Sequence, residues 1–381
     1  MGKILDYEEM LQHLDQLDPK VIRKMQPIGY TTYGYPLLHY TYGAGNAHVI
    51  LTAGTHATEL IGNCFLIHFM EQLSNGTIDL DPLKVTLHFL PILNPEGTII
   101  VTSAIRALIP RNTSEVTEQF LATTYYGNCK IDDTGETSLC LDMFSRATWD
   151  AIDEKHAKLK AHLQWLDDRY HYPKGVMIAW SSNGNGVDLN SNVTPTKYLK
   201  DTLEGRKIFG EGHRRLLCLT EPGPYGCPTK NEDFQLEEEN RALLHFYDTC
   251  IHSHHVVGSI IYHACGGQVI YLDDIGVSPW KDQLEPVEID YNQMLAKVYA
   301  DETKYQVKSN TSYTTMDARI KSMLSGTLLV ELTPMRGTPL GQFVNSELGL
   351  YDETMEKNTK AVTETVKKMY LHAPSRCKKD V

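Results

Sequence analysis

The sequence predicts an α/β fold with a mixed or mostly parallel sheet, and three observations carry that reading. Short apolar, β-branched runs recur at 48–54 (HVILTAG), 84–93, 256–263 and 327–331. Segments of helical periodicity alternate with them, the pattern of strands joined by crossover helices. The 381 residues, 41% hydrophobic and 22% charged, suffice for a large core and exclude a disulfide mini-scaffold, a coiled coil or a disordered chain.

Each element follows in order. Residues 6–17 (DYEEMLQHLDQL) carry Met10, Leu11, Leu14 and Leu17 at helical spacing. MQPIGYTTYGYPLLHYTYG, punctuated by Gly and Pro, reads as meander strands. HVILTAG is a buried strand, ELIGNCFLIHFMEQL (59–73) a mostly buried helix, and 84–93 a strand closed by the turn Asn94-Pro95-Glu96-Gly97. Residues 101–178 differ in kind, holding the polar CKIDDTGETS and a charged helix over about 143–169. They read as an insertion carried on the main domain. A loop at 186–192, a helix near 236–250, a strand at 256–263, a helix near 288–299 and a strand at 327–331 follow. Met355, Thr359, Val362, Val366 and Met369 then mark an amphipathic C-terminal helix.

Charge narrows the function classes. Lys+Arg is 36 and Asp+Glu is 48, a formal net charge of −12. An acidic surface without a basic run argues against nucleic acid and anionic membrane as partners, and Arg376, Lys378 and Lys379 are too short a cluster to change that. No apolar run approaches the ~20 residues of a membrane helix. The start, MGKILDYEEMLQHLDQ, lacks an apolar stretch behind a basic one, so the expectation is no cleaved signal and a cytoplasmic address. The eight cysteines contain no CxxC and read as reduced thiols.

The strongest chemical signal is Gly54-Thr55-His56-Ala57-Thr58-Glu59-Leu60. His56 and Glu59, three apart, share one face of a helical turn and are two of the three protein ligands of an open catalytic zinc site. A capping Glu beside a surface His is the other reading. Their place favours the first, at the carboxyl end of a strand where open α/β sheets collect ligands. The third ligand has one candidate at an equivalent end, His263, which also reads as a core histidine. His252, His254 and His255 sit at the opposite end of that strand. Glu331 closes the apolar run Thr327-Leu328-Leu329-Val330, where a carboxylate is costly unless it is paired or employed.

With these residues in place, the sequence resembles the M14 zinc metallocarboxypeptidase family. GTHATEL is similar to its GxHxxE zinc motif, LPILNPEG to its proline–asparagine–proline–acidic–glycine turn, and GNGVDLNSN (184–192) to its GVDLNRN motif. LEEENRAL (236–243) resembles its SEPETRAL-like helix start, IIYHACGGQVIY its third-ligand strand, and TLLVEL the strand of its catalytic glutamate. The blocks come in the family's order and cover roughly 45–100 and 180–345. The resemblance implies one catalytic domain over 1–381 with a central twisted sheet between helices. It also implies one zinc per chain on His56, Glu59 and His263, with Glu331 as general base to a water and proton donor to the leaving nitrogen.

The departures shape the functional reading. Asn190, a carboxylate contact in the family, is kept, but Ser191 stands where an arginine grips the substrate's terminal carboxylate. Trp180-Ser181-Ser182-Asn183 holds no oxyanion arginine either. Arg336 is a candidate replacement or a solvated loop residue, and Tyr313 and Asp317 fall near the family's mobile tyrosine and specificity residue. The leading expectation is a zinc hydrolase acting on a peptide or amide. A deacylase or amidase similar to aspartoacylases and succinylglutamate desuccinylases is the alternative, and a zinc-binding module of weak activity the third. Glu331 speaks against the third, because a pure binding site needs no base.

Overall fold

The computed structural model describes residues 5–80, 83–108, 147–172, 175–193, 221–224, 226, 235–264, 266–273, 285–309, 315–332 and 350–374. Their strands are β1 (Ile22–Lys24), β2 (Gly29–Tyr30), β3 (Pro36–Leu37), β4 (Tyr40–Tyr42), β5 (Ala47–Ala53), β6 (Val85–Leu90), β7 (His255–Ala264), β8 (Gln268–Tyr271), β9 (Gln306–Ser309) and β10 (Thr327–Leu332). Their α-helices are α1 (Tyr7–Asp15), α2 (Leu60–Ser74), α3 (Pro95–Leu108), α4 (Ala157–Tyr170), α5 (Glu238–Ser253), α6 (Pro286–Thr303), α7 (Met316–Met323) and α8 (Leu350–His372).

Eight strands form one mixed sheet in the order β1-β4-β6-β5-β7-β10-β8-β9, and its centre, β6-β5-β7-β10, is parallel throughout. The α/β architecture expected from the alternating runs is the one observed. A parallel centre must be covered on both faces, which explains why these strands are apolar at successive positions. Val49, Leu51 and Ala53 of β5 join one core cluster with Met10 of α1, Phe65 of α2, Leu295 of α6 and Val362 of α8. Ile50, between them, joins a second cluster with Leu243 and Tyr247 of α5 and Ile320 of α7. The alternation along β5 thus feeds two layers of helices.

Local signals set the helix ends. Asp6 accepts from Glu9 N at 2.9 Å while the Glu9 carboxylate accepts from Asp6 N at 3.0 Å, a reciprocal cap on α1. The expected turn at 94–97 is the start of a helix, because Pro95 has no N–H to lose in a first turn. α2 is apolar nearly all round and correspondingly buried, with Phe65 and Phe69 fully enclosed. Truncating either to alanine costs about 3–5 kcal/mol. Ile99, Ile100 and Val101 of α3 share the first core cluster with Trp149 and Leu159, so the described flanks of 101–178 pack onto the main core, and 109–146 lies outside the described residues. Among the described residues no helix is long and apolar enough to cross a membrane.

Candidate metal and hydrolytic site

β5 and β7 run side by side in parallel, and both deliver polar residues at their carboxyl ends. Gly54 follows β5 with φ +77°, where a Cβ would lie 2.3 Å from Asn63 Nδ2. Only glycine fits that close left-handed bend, which turns the chain toward His56. Residues 55–59 form a turn rather than the helical turn expected from the spacing, and Glu59 is the N-cap of α2. Its carboxylate caps nothing, being wholly engaged by imidazoles and by β7. Oε1 lies 2.7 Å from His56 Nδ1, and Oε2 lies 2.9 Å from His263 Nδ1 and accepts from Ala264 N at 3.1 Å.

His56, Glu59 and His263 bring one donor atom each within 4.8 Å of one another. Two imidazole nitrogens and a carboxylate, convergent and partly buried, are a donor set that fits zinc with a position left for water. The second nitrogen of His56 is also engaged, with Nε2 3.2 Å from Asp188 Oδ1. A carboxylate behind a ligating imidazole fixes its orientation and tautomer. Asp188 was not singled out from the sequence, although it sits inside GVDLNSN.

The electrostatics follow from this packing. Burial disfavours the charged His56 ring, but the Glu59 charge and the Asp188 hydrogen bond outweigh it and raise its pKa well above the usual value. Burial works against the Glu59 carboxylate as well, and the His56 and His263 rings overcome it, bringing it to about 2. Glu331 lies directly beside His263 in the β10–β7 register. Burial first, then the Glu59 charge, push its carboxyl up to about 7.

The loop behind the site is tied down by polar side chains. Asn94 Nδ2 donates to Thr55 O (3.3 Å) and Ser182 O (3.0 Å), while its Oδ1 accepts from Gly97 N at 2.9 Å. Asn240 Nδ2, near the start of α5, donates to Leu189 O and Asn192 O at 2.8 and 2.7 Å. Gly184 N donates to Glu96 Oε2 at 3.0 Å, and Asn183 Nδ2 to Glu237 Oε2 at 2.8 Å. These bonds hold the 183–192 loop so that Asp188 meets His56.

The expected substrate residues divide. Ser191 is buried, its hydroxyl donating to Asp188 Oδ2 at 2.7 Å. The side-chain oxygen of Asn190 accepts from Met316 N at 3.0 Å, anchoring the first turn of α7. Asp317 is buried and ion-paired with Lys321 at 3.2 Å. Tyr313 and Arg336 lie outside the described residues.

An α/β fold with a donor set that suits zinc is what the comparisons with known proteins then specify. The family model described as zinc carboxypeptidase matches residues 7–361, so the chain belongs to the M14 peptidase family. Among solved structures it is similar to carboxypeptidase A from Helicoverpa armigera, at 10% identity and TM-score 0.55, covering 97% of this chain and 74% of that one. It is also similar to bovine thrombin-activatable fibrinolysis inhibitor in complex with tick carboxypeptidase inhibitor, at 15% identity and TM-score 0.51, covering 96% and 94%. At such identities the likeness is one of fold. No curated protein matches the chain.

Proposed function

We propose that the chain is a zinc-dependent hydrolase of peptide or amide bonds, with one zinc held by His56, Glu59 and His263. The observation that carries the reading is the convergence of these three side chains with Glu331 in register beside His263. Zinc bound there supplies an acidified water and polarises the scissile carbonyl. Glu331 accepts the water's proton and passes it to the leaving nitrogen. Asp188 holds the His56 ring through Nε2, and Ser191 and the backbone of Asn190 hold Asp188 in turn.

Ser191 decides the preference among substrates. Its hydroxyl points inward to Asp188, and no guanidinium stands at that position to pair with a terminal carboxylate. We therefore favour cleavage that does not depend on a free C-terminus, an endopeptidase-like or amidase-like preference. Glu331→Gln is expected to keep zinc and fold and to lose about 10²–10⁴ in kcat. Amidating a peptide's C-terminus is expected to leave kcat/KM nearly unchanged. A strong preference for the free acid that vanishes in Arg336→Ala would restore an ordinary carboxypeptidase, with Arg336 as its anchor.

A further inference from the structure

Two blocks of the sequence, LPILNPEG and LEEENRAL, supply carboxylates that the metal cluster does not use. Glu96 comes from α3, and Glu237 and Glu239 from the start of α5. All three grip one short stretch of backbone. Glu96 accepts from Gly184 N on Oε2 at 3.0 Å and from Tyr33 N on Oε1 at 3.1 Å. Asn183, the residue before Gly184, donates its Nδ2 to Glu237 Oε2 at 2.8 Å and to Glu239 Oε1 at 3.2 Å. The stretch they hold opens the loop that carries Asp188.

Glu96 and Glu239 are wholly buried. No cation accounts for them: among the described residues no Lys, Arg or His pairs with any of the three glutamates. They are no metal cluster either, since only His56, Glu59 and His263 bring three such donor atoms together there. The two buried groups differ in one respect. Both oxygens of Glu96 accept a backbone N–H, whereas Glu239 Oε2 is buried with no hydrogen-bond partner among the described residues. An ionised carboxylate left half without donors in the interior is costly. A proton on Oε2 removes that charge and leaves Oε1 to accept from Asn183. The titratable groups facing Glu239 are Glu96 and Glu237, and those facing Glu96 include Glu237 and the phenols of Tyr7, Tyr33 and Tyr35. Burial and then the Glu96 charge raise the Glu239 carboxyl well above its usual value. Burial pushes Glu96 up to about 7, against the hydrogen bonds from Thr31, Tyr33 and Gly184.

We infer that Glu239 is a positioning residue held as a neutral carboxylic acid, with its proton on Oε2, and that its ionisation loosens the 183–192 loop and the Asp188 contact to His56. A further charge beside Glu96 and Glu237 pushes the three carboxylates apart, and Asn183 and Gly184 are what they hold. The proton belongs to the metal-free fold, and its meaning for the metal rests on the zinc reading above.

The test compares full-length wild type with Glu239→Gln, whose amide has the shape of the protonated acid and no charge at any pH. Two measurements use the metal-free chain. An acid whose folded value lies above its unfolded one stabilises the fold below the unfolded value and loses that contribution as pH rises toward the folded one. Between about pH 5 and pH 9 the wild-type urea midpoint is therefore expected to fall by roughly 0.5 M relative to Glu239→Gln. The infrared carbonyl band of an un-ionised carboxyl is expected at pH 7 in the wild type and reduced in the variant. A midpoint difference that stays constant with pH overturns the inference, as does an unchanged band. The third measurement is zinc release to a chelator. Wild type and variant are expected to agree within about twofold at pH 6, and the wild type to release about tenfold faster at pH 9. Equal release at pH 9 overturns the link to Asp188. Should Glu239→Gln fail to fold, Glu237→Gln removes one charge facing Glu239 and is expected to lessen the alkaline fall while keeping the band. An undiminished fall there overturns the inference. A wild type that binds no zinc sinks the metal reading instead, and unfolding and infrared then decide the Glu239 proton by themselves.

Discussion

Two histidine clusters stand on the same sheet and are built on opposite principles. In one, His56 and His263 converge on Glu59, an acceptor-only group, with a second carboxylate, Asp188, behind His56. In the other, imidazoles bond to one another in a line. His39 Nε2 meets His88 Nδ1 at 3.0 Å, His88 Nε2 meets His48 Nδ1 at 2.8 Å, and His254 stacks on His48 at 4.1 Å. A nitrogen-to-nitrogen bond needs one donor and one acceptor. His88 spends both nitrogens this way, and burial, which disfavours a charged ring, holds the three imidazoles toward the neutral form. The first cluster is made to receive positive charge and the second to exclude it. Arrangement around a carboxylate, not the number of histidines, separates a candidate metal site from a histidine core.

The largest expected effect is on metal content. His56→Ala or His263→Ala should take zinc from about one per chain to nearly none, since two remaining ligands hold it poorly, while His88→Ala should leave it unchanged. Elemental analysis after gel filtration checks this, and zinc lost from the His88 variant would break the contrast. A smaller effect tests the carboxylate behind His56. Asp188→Asn should weaken zinc affinity about 10–100-fold, measured by chelator competition.

The smallest effect sharpens the other side. Burial lowers the pKa of His39 and of His48 to about 4, His254 and His255 adding to the shift at His48. Burial and then the neighbouring rings lower His88 to about 2. A base whose folded value lies below its unfolded value of about 6.5 stabilises the fold above that pH and loses the contribution as pH falls toward the folded value. Going from pH 7 to pH 5 should therefore cost on the order of 1–2 kcal/mol per buried histidine, and His88→Gln should flatten that dependence. Urea unfolding at the two pH values decides, and an unchanged slope in His88→Gln would remove the chain from the acid response.

Much of this was legible in the residues. Runs such as HVILTAG and TLLVE announce buried parallel strands, because only a strand covered on both faces is apolar at successive positions. A polar residue at the end of such a run marks where ligands collect, which is why His56, His263 and Glu331 stood out. Local geometry was less legible. The spacing of His56 and Glu59 suits a helix, yet Gly54 turns the chain so that Glu59 becomes the first boundary residue of α2. β8 and β9 escaped notice because short strands toward a sheet edge lack a continuous apolar run. Lys321 was hidden most completely: nothing in its sequence neighbourhood marks a lysine for burial, and only the fold around α7 buries it with Asp317.

Glu59 binds the two halves of the chain to each other. Its Oε2 takes a hydrogen bond from Ala264 N, 205 residues away in sequence. Closing so long a loop is paid in chain entropy before any contact rewards it, and contacts of this separation slow folding. His56 and Glu59 are ready as soon as β5 and α2 form, but His263 reaches them only when β7 docks beside β5. The rate at which a refolding chain takes up metal is then a clock for the joining of its amino-terminal and carboxy-terminal halves.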